Sequence, residues 1–153
     1  MKPPRLDDQL CFALYSASRL IVRAYKPILI ELGLTYAQYL VMMVLWEWDD
    51  KGDNEHTVGE LGERLFLDSG TLTPLLKRLA DRDLVYRKRS ETDERKVLIG
   101  VSERGAALAF RAHQVPYSLA GYFEDGDLDD LVSLRSNVQG IVGRLADGVP
   151  DRS

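Results

Sequence analysis

From Leu10 onward, apolar side chains recur at Leu10, Leu14, Ala17, Ile21, Ala24 and Ile28, in steps of 4, 3, 4, 3 and 4. That spacing keeps one stripe of an α-helix apolar. Asp7 or Asp8 is the natural N-cap, and Gly33 supplies the left-handed residue that ends the helix. Thr35 caps a second, mostly apolar helix reaching Trp48, and the polar run from Asp49 to Glu55 reads as a loop. Thr57 followed by Glu60 fits a capping box that opens a short helix with Val58, Leu61 and Leu65 inward. After the tight connection at Leu67 to Gly70, Leu72, Leu75, Leu76 and Leu79 mark another helix, so two short amphipathic helices meet across a turn. Pro74 leaves its start open. With Ser69 as cap the proline presses on the Gly70 carbonyl, whereas Thr73 as cap places it at the favourable first position of a shorter helix.

The β-branched runs on either side of Ser90 to Glu94 predict a hairpin, from Leu84 to Arg89 and from Arg95 to Val101. Ser102 caps a long helix from Glu103 to about Tyr122, with a kink expected at Pro116. A last helix from Leu128 carries Leu131, Leu134, Val138, Ile141 and Leu145, a narrow seam suited to pairing with another helix. The expected fold class is therefore mainly α with a small β-wing: a winged helix-turn-helix over residues 57–101, with terminal helices (6–48 and 103–147) forming a dimerisation region, all in one intertwined domain.

Composition narrows the chemistry. A chain of 153 residues, 45% hydrophobic and 29% charged, buries about 70% of its unfolded surface in a single domain. The longest apolar stretch, Tyr39 to Trp46, is far shorter than the about 20 residues of a bilayer span. The start lacks the apolar core of a signal peptide, so a soluble cytoplasmic protein with no membrane association is expected. One cysteine allows no intrachain disulfide and argues against a cysteine-based zinc site. No metal and no cofactor is expected.

The net charge of −4 argues against nucleic acid, but its distribution does not: Lys77 to Arg104 holds nine bases and six acids, +3, leaving −7 for the rest. The basic zone coincides with the helix pair and hairpin, as a phosphate-binding face requires. Opposite its leucines the second helix of the pair offers Ser69, Thr71, Thr73, Lys77 and Arg78, groups able to meet base edges and phosphates. Arg87, Arg89 and Arg95 surround a loop small enough for a minor groove. The competing reading is an ordinary solvated face of mixed charge.

The order of these elements resembles the MarR family of dimeric transcriptional regulators, as do Asp93-Glu94-Arg95 and Val101-Ser102-Glu103-Arg104-Gly105. Four stretches, residues 8–15, 34–40, 67–78 and 89–95, resemble its organic-hydroperoxide-sensing repressors of the OhrR type. The resemblance covers roughly residues 6 to 145 and includes the single cysteine. It implies a homodimer on a pseudo-palindromic operator. Cys11 would be the peroxide-reactive thiol, Tyr25 and Tyr36 would hydrogen-bond it across the dimer, residues 69–78 would read the major groove, and Arg95, oriented by Asp93, would work at the wing. Two departures stand out. Asp83 replaces a glycine that closes the recognition helix in many relatives, and the second thiol of two-cysteine members is missing, which leaves a protein disulfide between subunits without a partner.

The residues themselves point the same way. A thiol attacks peroxide as its thiolate, and the unpaired amides at a helix start favour that anion, while Asp7 and Asp8 oppose it. Tyr15, Ser18, Val22 and Tyr25 share the face of Cys11, yet Tyr25 lies about 21 Å along the same helix. Two copies packed antiparallel about Ser18 would bring residue 11 of one to residue 25 of the other. The two sulfurs would then stay roughly 21 Å apart, beyond disulfide reach. Oxidised by an organic hydroperoxide, Cys11 would have to combine with a small cellular thiol or a backbone amide, or overoxidise. An enzyme, namely a thiol peroxidase, lacks a resolving residue, and His56 and His113 are isolated and expected at the surface. The other alternative keeps DNA binding and makes the effector a small phenolic or apolar ligand rather than an oxidant.

Overall fold

The computed structural model describes residues 3–53, 56–123 and 127–148. After a 3-10 turn at Leu6–Asp8 come α1 (Leu10–Leu32), α2 (Tyr36–Asp50), α3 (Val58–Leu65), α4 (Ser69–Ala80), β1 (Val85–Arg89), β2 (Val97–Val101) and α5 (Glu103–Ala112). A 3-10 segment, Pro116–Tyr122, and α6 (Asp127–Gly148) follow. No single helix among the described residues is long and apolar enough to cross a membrane. The polar run after Trp48 is in part helical, since α2 continues to Asp50; Asn54 and Glu55 lie outside the described residues.

Residues 1–118 form one compact unit. Its core joins Val41, Met42 and Leu45 of α2 to Leu61 of α3, Leu72, Leu76 and Leu79 of α4, Ile99 of β2 and Val115, all at or below 1% exposure. Of the expected inward positions of the helix pair, Leu61, Leu72, Leu76 and Leu79 fill the core, Val58 and Leu65 pack against it half-buried, and Leu75 is only half-buried. β1 and β2 pair antiparallel, Val85 opposite Val101 and Arg89 opposite Val97, and Thr57 bridges to Leu98 so that the approach to α3 lies along the hairpin.

Local chemistry sets most boundaries. Thr57 and Glu60 form the expected capping box, with Thr57 N donating to Glu60 Oε2 at 2.6 Å and Glu60 N to Thr57 Oγ1 at 3.1 Å. Those bonds to Thr57 hold the Glu60 carboxyl below its ordinary range. Thr35 and Gln38 close a second box, which explains how the Gln38 side chain is buried without loss. Gly33 ends α1 at φ 68°, with its amide on Ile30 O and that of Leu34 on Leu29 O, both at 2.9 Å. Asp83 adopts φ 55°, the left-handed conformation that its substitution for glycine demands.

Three expectations need correction. Gln9, not Asp7 or Asp8, stands at the N-cap of α1, because both acids are taken up in the preceding 3-10 turn. Asp68, rather than Ser69 or Thr73, caps α4: its carboxylate accepts from Thr71 N at 2.9 Å. Pro74 thus lies inside the helix and removes only the bond to Gly70 in the first turn. The long helix after Ser102 does not kink at Pro116 but stops at Ala112, the residue whose carbonyl would have needed the amide that proline lacks. Val115 N bonds to Ala112 O instead, and a 3-10 segment begins. Where α5 passes the start of β1, a Cβ on Gly105 would overlap Leu84 O, so glycine is required for the approach.

The second unit comprises residues 119–153. The last helix forms as α6, and of its seam residues Leu134 and Leu145 are 55% and 56% exposed.

Candidate nucleic-acid interface and thiol site

On α4 the buried leucines fix the rotation of the helix, and Ser69, Thr71, Thr73, Lys77 and Arg78 all emerge exposed. The structure therefore leaves all five side chains open to solvent. The two threonines are oriented internally: Thr71 Oγ1 donates to Asp68 Oδ2 at 3.0 Å and Thr73 Oγ1 to Ser69 O at 2.7 Å. With the hydroxyl protons engaged inside the helix, each oxygen faces outward as an acceptor and each side chain adds a methyl group. The Thr71 bonds hold the Asp68 carboxyl below its ordinary range, so the cap stays ionised.

On the hairpin, Arg87 and Arg89 share one face of β1 and are exposed, as is Arg95 in the loop. The loop is ordered by its own polar groups. Ser90 N donates to Lys96 O at 2.9 Å, and the buried Ser90 Oγ accepts from Thr92 N and Asp93 N. Asp93 Oδ1 accepts the backbone amide of Arg95 at 3.1 Å. The expected orienting role thus acts on the Arg95 backbone and not through a carboxylate–guanidinium pair. Among the described residues Lys77, Arg78, Arg87, Arg89 and Arg95 form no ion pair, leaving their charge available to an external anion.

Cys11 is exposed, the second residue of α1. Because Gln9 makes no side-chain capping bond, the first-turn amides beside the thiol keep their donors. Along α1, Leu10, Phe12, Tyr15, Ile21 and Val22 are also exposed, more apolar surface on one helix than a solvated face carries. Tyr25 and Tyr36 are placed together, rings stacked with centroids 5.6 Å apart and planes 19° from parallel. Burial raises both phenol pKa values, helped at Tyr25 by the Tyr36 charge, so the hydroxyls persist as donors. Among the described residues neither hydroxyl has a hydrogen-bond partner. Tyr36 also lines a groove of about 570 Å³ with Ser18, Val22, Lys26, Leu29 and Leu34. Within one chain, then, the thiol and the two phenols are not united.

His56 is not at the surface as expected. It stacks on Trp48 at 3.8 Å between ring centroids, with Asp53 Oδ2 3.0 Å from Nε2, a contact that reaches ion-pair distance but lacks hydrogen-bond alignment. The intervening loop hides that pairing from any periodicity. His113 is exposed as expected. Sequence reasoning also missed Arg82 and Arg111, whose guanidiniums reach the end of α1; no spacing rule links positions so far apart.

A model of the transcriptional regulator family SarA/Rot matches residues 23–109. The organic hydroperoxide resistance transcriptional regulator of Bacillus subtilis (strain 168) is 46% identical over 132 residues, 86% of each chain. A structure of reduced AbfR bound to DNA superposes with a TM-score of 0.73 at 32% identity, covering 92% of this chain and 94% of that one. A crystal structure of a MarR-family regulator from Rhodococcus sp. RHA1 gives 0.79 at 23% identity over 91% and 96%, a likeness of fold.

Proposed function

Because the chain belongs to the MarR family of transcriptional regulators, in its organic-hydroperoxide branch, we propose that it is a homodimeric repressor whose Cys11 is the oxidisable switch. In the reduced dimer, α4 of each subunit enters a major groove and the hairpin places Arg95 at the adjoining minor groove. Ser69, Thr71 and Thr73 approach base edges, while Lys77, Arg78, Arg87 and Arg89 approach phosphates. The terminal helices α1 and α6, whose apolar side chains are left exposed, form the dimerisation region. Two α1 helices crossing antiparallel near Ser18 deliver Cys11 of one subunit to Tyr25 and Tyr36 of the other.

The observation that carries this reading is the stacked pair of Tyr25 and Tyr36, whose phenols have no hydrogen-bond partner among the described residues, with Tyr25 on the same helix that presents the exposed Cys11 thiol near its start. Two O–H donors and the first-turn amides favour the thiolate. The thiolate attacks the terminal oxygen of an organic hydroperoxide, the O–O bond breaks, the alcohol leaves and Cys11 becomes a sulfenic acid. A small cellular thiol then condenses with it, releasing water and leaving a mixed disulfide. Either sulfur species is larger than the thiolate and removes the charge the phenols were bonding, so the helices shift and the two recognition helices lose their common spacing.

The test is a mobility shift on the DNA upstream of the protein's own gene, with and without an organic hydroperoxide, followed by intact mass of the released protein. Release at about one equivalent per chain, with mass added at Cys11 alone, is expected; retention of the operator by fully oxidised protein disproves the reading. Tyr25→Phe and Tyr36→Phe should each slow Cys11 oxidation, read by stopped-flow loss of free thiol. One lost hydrogen bond to a charged group, about 1.5 to 3 kcal/mol, corresponds to roughly tenfold or more, with reduced-state operator affinity unchanged.

A further inference from the structure

We propose that Arg82 is a positioning residue that ties the sensing helix α1 to the recognition helix α4, an inference that rests on the oxidative reading above. The last carbonyls of any helix lack intrahelical partners, and in α1 every one of them is accounted for. Leu29 and Ile30 carbonyls accept the amides of Leu34 and Gly33. Those that remain are met from outside: Arg82 donates to Gly33 O and, at 3.4 Å, to Leu32 O, and Arg111 of α5 donates to Glu31 O at 3.1 Å. Two guanidiniums therefore face the negative end of α1, where cations are favoured, and among the described residues neither forms an ion pair.

The place of Arg82 gives the contact its consequence. It stands two residues beyond α4, after the C-cap Asp81, in a turn held by Arg82 N on Leu79 O, Asp83 N on Ala80 O and Leu84 N on Leu79 O. The left-handed Asp83 and the bond from Ser102 Oγ to Asp83 O at 2.6 Å stiffen that turn further. A guanidinium mounted there moves with the recognition helix. The apolar packing of α1 runs mainly to α2 and α5, so the polar link to the end of α4 is carried by Arg82. The guanidinium lies close against Gly33, where a Cβ would come within 2.7 Å of Arg82 Nη2.

The experiment compares operator affinity of the reduced and the fully Cys11-oxidised dimer for wild type, Arg82→Ala and Arg82→Lys, with oxidation followed by intact mass. All variants should oxidise at the wild-type rate. In Arg82→Ala the ratio of reduced to oxidised affinity should fall roughly tenfold or more towards unity, a typical coupling energy removed. Arg82→Lys should restore part of the ratio. Loss of positive charge by itself weakens both redox states equally and leaves the ratio untouched, so a merely structural or electrostatic role does not produce this result. A wild-type ratio in Arg82→Ala overturns the inference and spares the oxidative reading, whereas wild type that keeps its operator when oxidised overturns both. Should Arg82→Ala fail to fold, Arg82→Lys decides: one ammonium on a different stem cannot serve both carbonyls as the fork does, and an unchanged ratio counts against the proposal.

Discussion

Replacing Cys11 by Ser is expected to yield a repressor that binds its operator as tightly as the reduced wild type and no longer lets go when an organic hydroperoxide is added. The oxygen for sulfur exchange keeps the hydrogen-bond capacity at the start of α1 and removes the only thiol of the chain. The magnitude comes from the geometry of two-headed binding. Two recognition helices on one dimer convert the second contact into an intramolecular one, and avidity of this kind exceeds the single contact by about 10²- to 10⁴-fold. Oxidised wild type should lose a factor of that order in a mobility shift or anisotropy titration, and Cys11→Ser should lose none. A serine variant that is still released would mean that the effector occupies an apolar site without chemistry at sulfur. A serine variant that fails to bind at all would place Cys11 among the groups holding the dimer together.

How far the fold could be read from the sequence follows from the range of each interaction. Thr57 with Glu60, Ser102 with Gly105, and Gly33 act within a few residues, so composition at fixed offsets reveals them. The leucines of α4 are legible for the same reason, and they fix which of its side chains face outward. Pro116 and Pro74 show where local reasoning stops being sufficient. Both delete one bond to the residue four positions back, but at Pro74 that residue is Gly70 in an exposed first turn, whereas at Pro116 it is Ala112, after which the chain continues with 3-10 bonds instead of α-helical ones. The groups that join distant segments are invisible to periodicity: Trp46 Nε1 on Gly105 O, His56 against Trp48, and Arg82 on the end of α1. Of the candidate site, the face of α4 and the hairpin arginines were legible because they alternate with the core. The tyrosine stack was not, since its two rings come from different helices.

The unpaired cations of that face lead to the second large effect. Lys77 and Arg95 stand on different elements, neither engaged by a carboxylate among the described residues, so replacing both by Ala should leave the fold intact while stripping four positive charges from the dimer. Each phosphate neutralised by a protein cation contributes about 0.9 to the slope of log affinity against log salt. If all four charges lie at phosphates, the double variant's slope is shallower by about 3.6, and between roughly 50 and 200 mM salt the wild type loses on the order of 10² more affinity than the variant does. Equal slopes would remove both residues from the interface. The two single variants then separate their roles. Lys77→Ala should weaken all sequences alike, because a phosphate carries no sequence. Arg95→Ala should also narrow the gap between operators whose wing-facing minor groove is A·T-rich and those where it is not, since a narrow groove concentrates the negative potential that an inserted guanidinium meets. The ordered loop makes this second expectation specific: Asp93 holds the Arg95 amide, so the arginine is presented from a fixed turn, and Asp93→Ala should reproduce the loss of groove preference with its positive charge still in place.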